Sequence, residues 1–178
     1  QRCIGPVSTA TVELDASRLR DGDVAGLGLL NMPYAWLGVV CTGKAKDLVM
    51  KVQQGNKTIS LQRQMEVNDP AYKGTVYLRI AVDLDADLAQ FYYSLTGSEY
   101  EKAGEKVLLP YQLKTFQGSR YSLFAYNEKE REGGYACFDN FVVDEPMSDR
   151  TSNLPIGKVI SLCNLSNGTY AWANPHGM

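Results

Sequence analysis

Between Phe116 and Val143 two runs rich in aromatic and β-branched residues, laid out with a period of two and separated by a charged stretch, limit the possible folds more than any other feature. From Gly118 to Asn127, Tyr121, Leu123 and Ala125 fall on one face, and Ser122, Phe124 and Tyr126 on the other. A charged stretch ending in Gly133-Gly134 follows, and Tyr135 to Val143 alternates again. Two alternating runs joined by a polar, glycine-bearing linker predict a hairpin. Apolar groups on both faces of both runs predict that the hairpin lies inside a two-layer β structure.

The rest of the chain repeats the theme. Thr9 to Asp15 opposes Ala10, Val12 and Leu14 to Thr11, Glu13 and Asp15, and a turn follows at Asp21-Gly22. Val24 to Leu30 and Tyr34 to Cys41 form a hairpin about Asn31-Met32-Pro33. Simple antiparallel register sets Gly28 opposite Trp36 and Gly26 opposite Gly38 on one face, with Leu27 opposite Leu37 on the other. A second hairpin is expected from the runs starting at Asp47 and Thr58. Thr75 to Asp83 puts Val76, Leu78, Ile80 and Val82 towards a core, with Tyr77 and Arg79 away from it; Gln90 to Ser94 follows. Ala103 to Pro110 reads as a short irregular or helical connection. No long helical periodicity and no internal repeat occurs, so the fold class is all-β.

Bulk properties exclude several functions. The 178 residues support a domain with a real core, and a net charge of −2 without a basic cluster argues against nucleic acid and anionic membranes. No apolar run approaches the ~20 residues of a membrane-spanning helix. Cys3, Cys41, Cys137 and Cys163 allow three full pairings, and no C-x-x-C pair suggests zinc or redox chemistry. Cys41 and Cys137, inside strands, read as buried free thiols.

The stretch F-x-G-x-R-Y-x-L-F-x-Y-N, followed by G-G-Y-A-x-F-D-x-F, resembles the closing hairpin of the concanavalin A-like β-sandwich (jelly roll) at the C-terminus of glycoside hydrolase family 43 enzymes, the β-xylosidases and α-L-arabinofuranosidases. GPVSTATVELDASRLRDGDVAGLGLL, YAWLGVV and YLRIAVDLDADLAQFYYSLTGSEYEKAG resemble successive strands of that module in the same order, over about residues 2 to 145. The resemblance implies an antiparallel sandwich over 1–147 that lacks its first strands, a linker at 148–153 and an extra hairpin at 154–178. That last piece resembles the opening of a β-trefoil repeat and is expected to pack back through Ile160, Leu162 and Trp172. QRCIGPVS carries no signal-peptide pattern. Because the family is secreted or periplasmic, processing or a fragment is expected.

The resemblance also implies a non-catalytic role, since family-43 enzymes do their chemistry in a preceding five-bladed propeller. The expected partners are a plant polysaccharide or oligosaccharide (xylan or arabinoxylan) and the catalytic propeller, or a chain supplying the missing strands. A self-contained laminarinase-like hydrolase is the first alternative. Glu13 and Asp15 share a face as in its E-x-D-x-x-E strand, but Arg18 stands where the final acid is required. A protein-interaction sandwich without sugar affinity is the second.

Four residues are candidates for carbohydrate binding. Glycines in a row on one strand face mark a close approach, either of a neighbouring side chain or of a ligand. Trp36 and Tyr34 overlie that row and suit stacking on a sugar. Tyr77 and Arg79 are placed to hydrogen-bond hydroxyls, or form a solvated face. No catalytic residue and no cofactor is expected. Asp83, Asp85 and Asp87 have calcium-like spacing, but an EF-hand loop needs Gly and Glu where Leu88 and Ser94 stand, so a polar turn is the preferred reading. Asp139, between Phe138 and Phe141, is expected to be a buried carboxylate accepting backbone N–H bonds, with structural calcium as the lesser alternative. His176 reads as inert.

Overall fold

The computed structural model describes residues 1–54, 57–65, 74–110, 118–146, 162–164 and 169–171. The chain divides into two compact units, Gln1–Pro146 and Met147–Met178. In the second, β11 (Leu162–Asn164) pairs antiparallel with β12 (Thr169–Ala171). Ile160, Trp172 and His176 lie outside the described residues.

The first unit is a sandwich of two five-stranded antiparallel sheets, and its described residues include no helix. One sheet runs β5 (Lys57–Met65), β4 (Ala45–Gln54), β3 (Ala35–Thr42), β2 (Asp23–Leu30), β9 (Arg120–Asn127). The other runs β10 (Cys137–Asp144), β1 (Val7–Asp15), β6 (Thr75–Asp83), β7 (Leu88–Ser94), β8 (Glu101–Leu108). Alternation builds the core directly. Ala10, Val12 and Leu14 of β1 and Val76, Leu78 and Ile80 of β6 are fully buried against Ala25 and Leu27 of β2 and Leu37 and Val39 of β3. Each fully buried Leu, Ile or Val contributes about 1.5–3 kcal/mol of hydrophobic stabilisation. The β2–β3 register is the expected one, with Gly28 opposite Trp36 and Gly26 opposite Gly38.

The expected hairpin between Gly118 and Val143 does not form. β9 pairs with β2 and β10 pairs with β1, in opposite sheets. The linker between them is pinned to the turn before β2: Glu128 N–H donates to Gly22 O (2.7 Å), Gly134 N–H to the Asp23 carboxylate (2.7 Å) and Tyr135 N–H to Arg18 O (3.2 Å). Those anchors carry the chain over the end of the sandwich instead of turning it back on itself. Both strands are edges and are largely exposed, rather than central.

Three smaller expectations change. Ala103 to Pro110 is not irregular or helical but contains most of edge strand β8. A register shift opposite Gln90, with Gly104 at φ +63, buries Ala103 and Val107, and that four-residue spacing imitates a helix. Cys137 is exposed on edge strand β10, whereas Cys3 and Cys41 are buried free thiols. Asp139 is exposed too; it accepts the Asn140 N–H (2.7 Å) beside a bulge where Asn140 takes φ +50.

Candidate functional site

The outer face of β3, β2 and β9 carries a shallow, largely apolar cleft with polar edges. Its shape starts with glycine. A Cβ on Gly26 would collide with the Leu37 carbonyl, and one on Gly38 with the Ala25 carbonyl, so these two positions let the backbones of β2 and β3 come together. Gly28 is different: its nearest neighbours are Ser122 Oγ and Trp36 Cβ, at 3.1 and 3.6 Å from where its own Cβ would sit, and it is a buried residue at the floor of the cleft.

Around that floor stands an aromatic set from two strands distant in sequence. Trp36 meets Phe124 edge-on, with ring centroids 5.2 Å apart and planes at 66°, and Phe124 leads on to Tyr126 at 6.1 Å. Lys51 Nζ lies 5.2 Å from the Trp36 ring centroid and 3.4 Å from Glu128 Oε1. With Val24 and Val49 packed against it, Trp36 is only 7% exposed. It therefore backs Phe124 and presents only a small part of its ring to the cleft. Tyr34 and Tyr126, at 39% and 47% exposed, are the rings that face solvent. Together with Gly28, Trp36, Ser122 and Phe124 they line a cleft of about 320 Å³. Burial pushes the Tyr126 phenol up, and Glu128 and Tyr34 push it further, so it stays a neutral hydroxyl that donates and accepts.

The four candidate residues do not converge. Tyr34 and Trp36 line this cleft, whereas Tyr77 and Arg79 lie on β6, in the other sheet. Arg79 stacks on Tyr100 at 3.6 Å and donates from Nε to Thr11 Oγ1 (3.1 Å). The Tyr77 ring covers Gly97. Both are engaged in their own sheet. A second depression on that sheet, of about 270 Å³ and lined by Thr9, Asp83, Gln90, Tyr92 and Lys106 among others, includes neither of them. Phe124, Tyr126 and Lys51 were not legible as site residues. Alternation puts Phe124 and Tyr126 on one face, but nothing local says that β9 lies beside β2.

The acidic candidates are locally committed. Glu13 Oε2 accepts from Asn140 Nδ2 (2.9 Å), and Asp15 Oδ1 accepts the Ser17 N–H (2.8 Å). Asp83 Oδ1 closes its own turn by accepting the N–H groups of Asp85 and Ala86, both at 3.0 Å. Among the described residues, no three His, Cys, Asp or Glu side chains gather as a metal site.

Two facing antiparallel sheets, with strands that cross between them at the sandwich ends, define a jelly-roll sandwich of the concanavalin A-like class. The chain belongs to the family of β-xylosidase C-terminal concanavalin A-like domains, whose model matches residues 1–144. A solved bifunctional GH43-CE protein from Bacteroides eggerthii is 34% identical with a TM-score of 0.73; the match covers 84% of this chain and 19% of that one. An engineered GH43 glycoside hydrolase with endo-xylanase and exo-arabinofuranosidase activity is 26% identical (TM-score 0.69), over 83% of this chain and 30% of that one. The xylan β-1,4-xylosidase of Bacillus halodurans shares the fold at 15% identity and TM-score 0.61, over 79% of this chain and 28% of its own. The chain thus spans less than a third of the length of each of these relatives. No curated protein matches it.

Proposed function

We propose that this chain is an accessory, non-catalytic sandwich of a family-43-type glycosidase, and that it binds plant-cell-wall glycan of the xylan or arabinoxylan kind in the cleft between Tyr34 and Tyr126. One observation carries the reading: two half-exposed tyrosines flank a glycine-floored trough backed by Phe124 and Trp36. A sugar ring presents C–H faces that pack on aromatic rings and an equator of hydroxyls that need partners. A cleft with aromatic walls and a few polar groups, here two phenols and Ser122 Oγ, meets both needs. The partial span of the enzymes it resembles supports the accessory role. The commitment of Glu13 and Asp15 to local bonds weighs against hydrolysis by this chain.

Affinity electrophoresis in gels containing arabinoxylan tests the proposal. The native chain is expected to be retarded, and Tyr126→Ala and Tyr34→Ala each to lose about tenfold in affinity, or about 1.4 kcal/mol. Absence of retardation in the native chain would leave bracing of the catalytic domain as its role and remove the cleft as a sugar site.

A further inference from the structure

The depression of about 270 Å³ on the outer face of the second sheet has a floor and walls of its own. Its floor is Ala81, a small residue set between Thr9 of β1 and Gln90 of β7 in one cross-strand row. A bulge builds the wall on the β8 side. Between the pairs Ala89–Val107 and Phe91–Ala103, Gln90 alone faces Gly104, Glu105 and Lys106. Bulges recur beside binding sites because they re-aim side chains, and here the extra residues carry exposed Lys106 to the rim.

Gln90 fills the gap that the bulge leaves. Its Nε2 donates to Phe91 O (3.1 Å), Gly104 O (3.2 Å) and Ala103 O (3.4 Å), and the residue is only 8% exposed. Those bonds occupy both amide hydrogens and fix the amide, so Oε1 is the end left to accept. Among the described residues nothing donates to Gln90 Oε1, and Thr9 Oγ1, Tyr92 Oη and Lys106 Nζ have no hydrogen-bond partner. Asp83 uses Oδ1 for its own turn and keeps its second oxygen. The depression thus offers an ammonium donor, two acceptors and two hydroxyls, beside the half-buried Tyr92 ring and Val7, which is 39% exposed.

That mixture selects its ligand. An anion would meet Asp83, and an apolar molecule would strip water from Lys106 and Gln90 Oε1 without replacing it. Sugar hydroxyls donate and accept at adjacent carbons, and the C–H face of the ring packs on an aromatic side chain. We propose that this depression is a second saccharide site, taking a neutral pentose or hexose segment with Lys106 donating, Gln90 Oε1 and Asp83 accepting, and Tyr92 beneath the ring. It lies on the opposite outer face of the sandwich from the Tyr34–Tyr126 cleft and does not depend on that cleft, so one unit holds two saccharide segments at once.

Amide chemical shifts in the labelled 178-residue chain, titrated with xylotetraose and with cellotetraose, test it. Saturable shifts at Thr9, Ala81, Gln90 and Lys106 are expected with at least one of the two, in the native chain and equally in Tyr126→Ala. Lys106→Met, an exposed change that leaves the core alone, is expected to weaken them at least about fivefold while the shifts at Gly28 and Ser122 stay as in the native chain. Tyr92→Phe, which removes only the hydroxyl, is expected to act in the same direction. No saturable shift at these amides with either sugar, their loss in Tyr126→Ala, or an affinity that Lys106→Met leaves intact would each overturn the second site. Shifts at Thr9, Ala81 and Gln90 without any at Gly28 and Ser122 would uphold it and sink the cleft between Tyr34 and Tyr126 instead.

Discussion

Asp23 shows how much one side chain does at the end of the sandwich. It is buried, and its two oxygens accept from Arg20 N (2.6 Å), Gly134 N (2.7 Å) and Asn127 Nδ2 (2.8 Å), joining the turn before β2 to both ends of the β9–β10 linker. Burial works against its charge, but these donors outweigh that and hold its carboxyl below the ordinary 3.8. A depressed folded value means that its stabilisation is fully present above the unfolded value and disappears as pH falls through the folded one. Urea unfolding should show stability declining below about pH 4, with Asp23→Asn flatter over that range and about 1.5–3 kcal/mol less stable at pH 7. An unchanged acid limb in the variant would remove Asp23 from this role. Tyr121 is a second buried anchor. Its hydroxyl lies 2.8 Å from Ser8 Oγ and donates to Ser8 O (3.0 Å), which links the two sheets, so Tyr121→Phe should cost about 1–3 kcal/mol in the same assay. Neither role could be read from sequence, because Asp23 takes two of its three donors, and Tyr121 its Ser8 partner, from positions far along the chain. The glycines could be read in part: a row on one face was visible, but not that Gly26 and Gly38 serve the backbone while Gly28 floors a cleft.

Elements built from local signals were legible, and those built from distant pairings were not. The β2–β3 hairpin follows from alternation about Asn31-Met32-Pro33, and its register matches residue for residue. β9 and β10 gave the same local signal, yet they belong to different sheets, since the contacts that separate them lie in the Arg18–Asp23 turn. The aromatic cleft shares that difficulty. Tyr34 and Trp36 come from one hairpin and were recognisable; Phe124 and Tyr126 arrive on β9, whose partner no local rule names. Gly38→Ala tests the β2–β3 approach at this scale. The added methyl meets the Ala25 carbonyl, so the strands must part, with a loss of about 1–3 kcal/mol in thermal or urea unfolding. A neutral result would show that the close approach is not needed.

At the scale of the molecule, the family fold places two features on different surfaces: an aromatic cleft on the outer face of one sheet and a polar depression on the outer face of the other. Among the described residues no three His, Cys, Asp or Glu side chains gather, and the chain matches only a minor share of each enzyme it resembles. On the function proposed above, this unit recognises glycan and bond cleavage belongs to a catalytic domain of the family-43 type. Titration of the native chain with xylo-oligosaccharides, followed by tyrosine and tryptophan fluorescence, tests that assignment most directly. Saturable binding that Tyr126→Ala weakens about tenfold, with no reducing sugar released, is the predicted result. Binding untouched by Tyr126→Ala, or release of reducing sugar by the purified chain, would contradict it.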